Sequence, residues 1–209
     1  MQPDLRRPYV RDTEENRKEA LIAATQALVA EGGPAAATVR AIAARAGVTL
    51  GLIRHYFGSK DDLIRAAYDS LMDGMTDKGI EAMQAVGADP RARVIAFIEG
   101  SLRPPAVDIK ALGLWAGFMH RVQSDPELLA QHEAGYLRFR NQFQELIATL
   151  RPDLSPARAR QEAIACTAVI DGLWLEGSAL PHGFDEGEIV EIGLRAIGAI
   201  LGVDLSPKA

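Results

Sequence analysis

Helix-boundary signals recur along this chain, and they restrict its fold more than any other feature of the sequence. Asp89-Pro90, Asp125-Pro126 and Ser155-Pro156 each place a capping side chain directly before a proline, which suits the first position of a helix. Elsewhere apolar residues recur at helical spacing, and no convincing run has the period of two that a strand requires. The pattern therefore predicts an all-α fold of about nine helices.

The N-terminal third begins with two predicted helices. Asp12 with Glu15 forms a capping-box pattern for the first, which is expected to stop at the Gly32-Gly33-Pro34 segment. Thr38 is predicted to cap the second helix, and Gly47 to end it.

Further capping residues predict two more helices nearby and one at the far end of the chain. Thr49 is expected to cap a third, very short helix, and Ser59 with Asp62 to open a fourth. Asp185 with Glu188 is predicted to open the last helix.

The short helix after Gly47 is predicted to leave one face without a packing partner. If Val48, Ile53 and Phe57 turn inward, the residues at positions i, i+1, i+4 and i+5 share the outer face. These are Leu50, Gly51, Arg54 and His55. Two helices joined by a tight turn, the second with outward hydrogen-bonding side chains, form a helix-turn-helix whose second helix fits the major groove of DNA.

The side chains of this unit suggest distinct contacts with DNA. Arg54 is expected to donate two hydrogen bonds to guanine, whereas Leu50 or the Thr49 methyl group would touch a thymine methyl. Gly51 would allow close approach of the helix.

Phosphate contacts are expected at the ends of the helices. Thr38 and Lys60 lie at predicted helix N-termini, where free backbone N–H groups attract anions. Tyr56 and His55 would add further hydrogen bonds to phosphate. Each residue alone is equally well explained as an ordinary surface side chain, or for Tyr56 as a partly buried ring, so the prediction depends on the joint pattern.

The distribution of charge agrees with a polyanion at one end of the chain only. The whole sequence carries a net charge of −5. Residues 1–60 hold nine Lys or Arg and six Asp or Glu, whereas the remaining residues hold 14 and 22. Basic charge is therefore concentrated in the predicted helix-turn-helix segment.

The segment TVRAIAARAGVTLGLIRHYFGSKDDL, residues 38–63, resembles the DNA-binding region of TetR-family transcriptional regulators. The resemblance implies a homodimeric repressor of nine-helix subunits, with a DNA-binding head at 1–58 and a ligand-binding and dimerisation body at 59–209. It also implies a palindromic operator. Many family members carry tyrosine where this chain has Arg54, so their base preferences do not transfer.

Two segments of the body are similar to the choline-responsive BetI-type subgroup. They are LWAGFMH at 114–120 and AVIDGLWL at 168–175. Aromatic walls and one carboxylate suit a quaternary ammonium or a similar cation through cation–π attraction. The residues expected to line such a site are Trp115, Met119, Tyr136, Phe139, Asp171 and Trp174. An equally good interpretation is that both tryptophans only fill the core or the dimer interface.

The seventh predicted helix carries a long apolar stripe, which is expected to be buried mostly as core. The stripe comprises Leu129, His132, Tyr136, Phe139, Phe143, Leu146 and Leu150. His132 within it is expected to be a hydrogen-bonded interior histidine.

The last two helices are predicted to form a two-fold dimer interface, because small residues beside bulky ones permit close approach and burial. The predicted interface residues are Ala168, Gly172, Leu175, Ile189, Ile192, Gly193, Ala196, Ile197 and Ile200.

Catalytic signatures are missing from the sequence. It has no G-x-S-x-G, P-loop or G-x-G-x-x-G motif, and Tyr136 stands where the zincin motif starting at His132 needs a second histidine. No cofactor or metal is predicted, although a helical-bundle enzyme remains an alternative, as does a regulator that responds to a partner protein or to no ligand. The single cysteine, Cys166, in an apolar run, and the absence of a signal peptide or membrane span favour a cytoplasmic protein.

Overall fold

The computed structural model describes residues 13–206, and this part of the chain is built from nine α-helices without a strand. The predicted all-α class is therefore confirmed. Within the same residues no helix has both the length and the apolar content needed to cross a bilayer. The helices are α1 (Glu14–Gly32), α2 (Val39–Ala46), α3 (Leu50–Phe57), α4 (Lys60–Ala85), α5 (Pro90–Leu102), α6 (Ile109–Val122), α7 (Pro126–Leu150), α8 (Pro156–Ala179) and α9 (Glu188–Leu201).

Most predicted capping residues act as expected. The Thr38 hydroxyl accepts a hydrogen bond from the Ala41 N–H at 3.2 Å, and Gly47 ends α2 in the left-handed region at φ 66°. A side chain at that φ would be strained, which explains the glycine. Side chains also cap α5, α7 and α8, from Asp89, Asp125 and Ser155 respectively.

Two predicted helix starts were wrong in detail. The predicted first cap, Asp12, lies outside the described residues, and Thr13 caps α1 by accepting from the Asn16 N–H at 3.3 Å. The last helix follows Gly187, not Asp185. The Glu188 carboxylate instead accepts from the Asp185 N–H at 2.9 Å, so it orders the turn that precedes α9.

The chain divides into two compact units, and the first ends at Ala67. It contains α1, α2, α3 and the first eight residues of α4. Its core is formed by apolar side chains from all four elements, among them Leu21, Ile42, Ile53 and Leu63. Arg45 of α2 donates two hydrogen bonds to the Glu31 carboxylate of α1, at 2.6 and 2.7 Å. The short helices are thus held by burial and by one bidentate ion pair.

The second unit begins at Tyr68 and contains the rest of α4 with α5 to α9. Within it α4 and α5 approach closely, because a Cβ added at Gly100 would lie 2.5 Å from the Lys78 carbonyl oxygen. On α7 the apolar stripe is only partly core: Phe143 and Leu146 are buried, whereas Leu129 and Tyr136 are exposed. The prediction that the stripe is buried against neighbouring helices was therefore wrong for those two.

Candidate nucleic-acid interface and ligand cavity

The outer face of α3 has the exposure that its spacing predicted. Ile53 is 2% exposed and anchors the helix in the first unit, whereas Leu50 on the opposite side is 52% exposed. The side chain of Thr49 makes no capping hydrogen bond, which leaves its hydroxyl free for another partner. We call the exposed residues of this helix the recognition face; they are Leu50, Gly51, Arg54 and His55.

Tyr56 lies beside the recognition face and is half-buried. Its ring centroid is 5.0 Å from that of His55. Glu14 and Lys18 of α1 form an ion pair at 2.9 Å near these rings. The hydrogen bond from Lys18 holds the pKa of the Glu14 carboxyl below its usual value, with a smaller contribution from His55. The sequence did not predict Lys18 at this site; its position one turn from the start of α1 was the available signal.

The two predicted phosphate contacts have different surroundings. Thr38 is exposed, and although its hydroxyl oxygen caps α2, its O–H group can still donate. Lys60 is the first residue of α4 and is followed by Asp61 and Asp62. These carboxylates stabilise the helix N-terminus but also compete with a phosphate for it. Thr38 therefore offers the less obstructed contact.

The second unit contains a cavity of about 210 Å³ between α4, α5, α6, α7 and α8. Five of the six predicted ligand-binding residues line it, and Met119 is not among them. The wall formed by α4 was not predicted from the sequence. The lining residues are Met72, Met75, Thr76, Ser101, Ala106, Trp115, Gly135, Tyr136, Phe139, Ile170, Asp171, Trp174 and Leu175.

The two tryptophans of the cavity are fixed by contacts with each other and with the backbone. Their rings meet edge to face, with centroids 5.9 Å apart. The Trp174 indole N–H donates to the Ala106 carbonyl at 2.8 Å, which ties α8 to the loop after α5. The tryptophans therefore pack against the core and also line the cavity, so core filling is not their only role.

Asp171 is the acidic group of the cavity lining, and the Tyr136 hydroxyl donates a hydrogen bond to its carboxylate. Burial raises the pKa of Asp171, although the hydrogen bond from Tyr136 opposes this shift. Burial likewise raises the pKa of the Tyr136 phenol, so the phenol stays protonated and donates. The carboxylate is half-buried and accepts from the Tyr136 hydroxyl, so it is incompletely solvated, which favours a cation in the cavity.

Seven of the nine predicted dimer-interface residues are exposed or partly exposed in the single chain, and two are not. Ile197 is 0% exposed, and a Cβ at Gly193 would lie 2.6 Å from a Leu102 methyl carbon. Both therefore belong to the core of their own unit, and their assignment to the dimer interface was wrong. The accessible members are Ala168, Gly172 and Leu175 on α8, with Ile189, Ile192, Ala196 and Ile200 on α9.

Comparison with known proteins places both units in known families. Residues 21–67 match the family of bacterial regulatory proteins, tetR family, and residues 90–202 match the BetI-type transcriptional repressor C-terminal domain. The chain is 36% identical to the HTH-type transcriptional regulator BetI 2 of Chromohalobacter salexigens over 173 residues, which is 82% of each protein. It is 28% identical to the BetI regulator of Burkholderia thailandensis over 195 residues, or 93% of this chain and 96% of that protein.

Solved structures show the same fold. A crystal structure of a transcriptional regulator from Pseudomonas aeruginosa PAO1 superposes with a TM-score of 0.83 at 29% identity, covering 93% of this chain and 95% of that one. A crystal structure of a regulator from Saccharomonospora viridis in complex with choline superposes with a TM-score of 0.68 at 19% identity, covering 90% of this chain and 96% of that one. At that identity the second likeness concerns the fold alone. The family matches and the full-length relatives together show that this chain belongs to the BetI-type transcriptional regulators of the TetR family.

Proposed function

We propose that the protein is a repressor that binds a palindromic operator as a homodimer and is released from it by a small organic cation. The observation that carries the DNA-binding part is the recognition face of α3, which keeps Leu50, Arg54 and His55 exposed while Ile53 is buried. Arg54 reads guanine, and Leu50 with the Thr49 methyl group contacts thymine. Thr38, Tyr56, His55 and Lys60 contact phosphate.

The homodimer forms through the accessible residues of α8 and α9. Leu175 is a large apolar side chain that is 47% exposed, and Gly172 and Ala168 lie one and two turns earlier on α8, respectively. Such a face, with small residues beside bulky ones, allows close helix packing in a partner. Two-fold symmetry then requires an operator of two equivalent half-sites.

The effector is small and cationic. A cavity of about 210 Å³ is below the range of roughly 300–1,000 Å³ that suits drug-sized ligands. Its lining combines four aromatic rings with the Asp171 carboxylate, and each ring adds about 0.5–2 kcal/mol toward a cation that it faces. The choline bound by the Saccharomonospora viridis protein makes choline the first candidate.

Release follows from the part that α4 plays in the cavity. Met72, Met75 and Thr76 of α4 line the cavity, and the same helix begins at Lys60 in the first unit. An effector shifts α4 only if it binds the non-DNA-binding state more tightly than the DNA-binding state. By linkage, operator DNA then weakens effector binding by the same factor.

We propose regulation, not catalysis, as the role of the body at 59–209, with the DNA-binding head at 1–58 and a cytoplasmic location. The family membership supports a regulator, and the aromatic lining of the cavity with its carboxylate suits the binding of a cation. The alternative is a regulator that responds to a partner protein or to no ligand. That alternative predicts no thermal stabilisation by organic cations, whereas a cation present at 100 times its Kd adds about 2.7 kcal/mol to stability.

The test compares choline with its neutral isostere 3,3-dimethylbutan-1-ol, using a selected operator in fluorescence anisotropy. Choline is expected to weaken operator binding, and the neutral alcohol is not. Asp171→Asn should abolish the response, whereas Glu176→Gln removes a carboxylate from the exposed part of the same helix and should retain it. Equal responses to both compounds, or an intact response in Asp171→Asn, would contradict the cationic effector.

A further inference from the structure

A chain of side-chain contacts leads from the ligand cavity to α4 without passing through the α4 residues that line the cavity. Tyr136 donates to Asp171 of α8, and its ring centroid lies 5.7 Å from that of His132, one turn earlier on α7. The Nδ1 atom of His132 is 2.6 Å from the Tyr68 hydroxyl oxygen. Tyr68 belongs to α4 and is the first residue of the second unit.

The direction of the hydrogen bond between Tyr68 and His132 follows from their burial. Tyr68 is 0% exposed and burial raises its pKa, so the phenol stays protonated. Burial lowers the pKa of His132, although Glu133 opposes this effect, so the imidazole is neutral near pH 7. Among the described residues, His132 is the hydrogen-bond partner of the buried Tyr68 hydroxyl, which would lack an acceptor if Nδ1 carried the proton. We therefore assign the Tyr68 O–H as the donor to Nδ1 and place the imidazole proton on Nε2.

We infer that His132 is a positioning residue that links the Tyr136–Asp171 pair to Tyr68, and that this link transmits effector occupancy to α4. The role of the effector rests on the proposed function. A cation that pairs with the Asp171 carboxylate competes with the Tyr136 hydroxyl for the same oxygen atoms. The ring of Tyr136 then shifts against the His132 imidazole, and the acceptor that holds Tyr68 moves with it.

The geometry limits how Tyr68 can respond. Its ring packs edge to face against Phe118, with centroids 5.3 Å apart, and its centroid lies 6.1 Å from that of His132. The ring is therefore held in the core, while the hydroxyl depends on His132 for its acceptor. A buried hydroxyl that loses its acceptor destabilises the folded state unless it finds another acceptor. Because both partners lie on packed helices, loss of the acceptor favours movement of α4 relative to α7.

Three variants separate this link from simple packing. Tyr68→Phe removes the hydroxyl and keeps the ring against Phe118. His132→Leu removes the acceptor. His132→Asn places an amide oxygen near the position of Nδ1 and is expected to restore the acceptor.

The first measurement is operator affinity with and without choline for these variants and the wild type. The inference predicts that Tyr68→Phe and His132→Leu reduce the choline-induced change in operator affinity at least about threefold, while His132→Asn retains it. Choline affinity without DNA, and operator affinity without choline, should each stay within about twofold. An undiminished choline effect in Tyr68→Phe would overturn the inference.

The second measurement needs no effector and is a double-mutant cycle in chemical unfolding. Tyr68→Phe combined with Tyr136→Phe should depart from additivity by more than about twofold in the unfolding equilibrium constant, whereas Tyr68→Phe with Glu176→Gln should be additive. Additivity in the first pair would overturn the link. If choline does not change the operator affinity of the wild type, the proposed effector is wrong. The double-mutant cycle alone then decides whether His132 couples the two tyrosines.

Discussion

Replacing Arg54 by alanine tests the assignment of the recognition face to base reading. Arg54 is exposed, and among residues 13–206 its side chain makes no hydrogen bond or ion pair. The substitution should therefore change the free energy of unfolding by less than about 0.5 kcal/mol. A bidentate contact with guanine contributes about 1–3 kcal/mol, and a homodimer loses two of them. The expected loss of operator affinity is then about 30-fold to about 20,000-fold.

The assay is anisotropy titration of a labelled operator and a scrambled duplex at several salt concentrations. Arg54→Ala should weaken binding to the operator far more than to the scrambled duplex, because base contacts carry the specificity. Thr38→Val should weaken both equally, since it removes a phosphate contact together with the hydroxyl that caps α2. Arg160→Ala removes the same charge from an exposed position on α8 and serves as the control. A loss below about twofold in Arg54→Ala, or an equal loss on both duplexes, would refute base reading by this residue.

Three further predictions concern the body. Asp171→Asn should raise the melting temperature at pH 7 while it weakens choline binding, because burial raises the pKa of Asp171 and its ionised form destabilises the fold; calorimetry measures both effects. Because the pKa of Asp171 is raised in the folded state, the protonated side chain stabilises the fold below the pKa of the unfolded chain, and this stabilisation is lost as pH rises. The higher melting temperature of Asp171→Asn relative to the wild type should therefore disappear below about pH 4. Choline affinity of the wild type should likewise fall as acid protonates the carboxylate, which titration calorimetry between pH 4 and 7 would detect. Gly100→Ala should destabilise by about 1–3 kcal/mol in urea unfolding, because the new Cβ meets the Lys78 carbonyl oxygen, whereas Gly74→Ala on the open side of α4 should stabilise by about 0.4–1 kcal/mol.

Local chemistry made the helix-turn-helix predictable. Thr38 and Gly47 act through their own backbone neighbours, so their roles follow from a few adjacent residues. The position of α3 depends on burying Ile53, and the exposure of Leu50 and Arg54 then follows from helical spacing. In contrast, the cap predicted at Asp185 lies two residues before the observed one. Gly187, with its positive φ, ends the preceding turn and is the residue from which α9 starts.

The sequence allowed the lining of the cavity to be predicted only on the helices that carry aromatic residues. Trp115 and Trp174 were visible in the sequence, but Met72 and Met75 look like ordinary core residues of α4. Their place in the cavity wall depends on how the helices pack. The same reason explains Ile197, whose apolar neighbours favour both a core and an interface.

The link between Tyr68 and His132 joins residues 64 positions apart. The sequence predicted an interior, hydrogen-bonded histidine; the hydrogen bond is confirmed, whereas the side chain is only half-buried. The hydrogen-bond partner of His132, Tyr68, could not be predicted from the sequence, because long-range pairs depend on tertiary packing, not on local spacing.

Selection of bound sequences from random DNA, with the wild-type protein and Arg54→Ala in parallel, tests the central claim most directly. The account predicts that the wild type enriches a palindrome whose half-sites lie on one face of the duplex, one helical turn or a multiple of it apart. Arg54→Ala should lose the preference for guanine at one symmetric pair of positions. Enrichment of no sequence, or of sites without two-fold symmetry, would contradict the account.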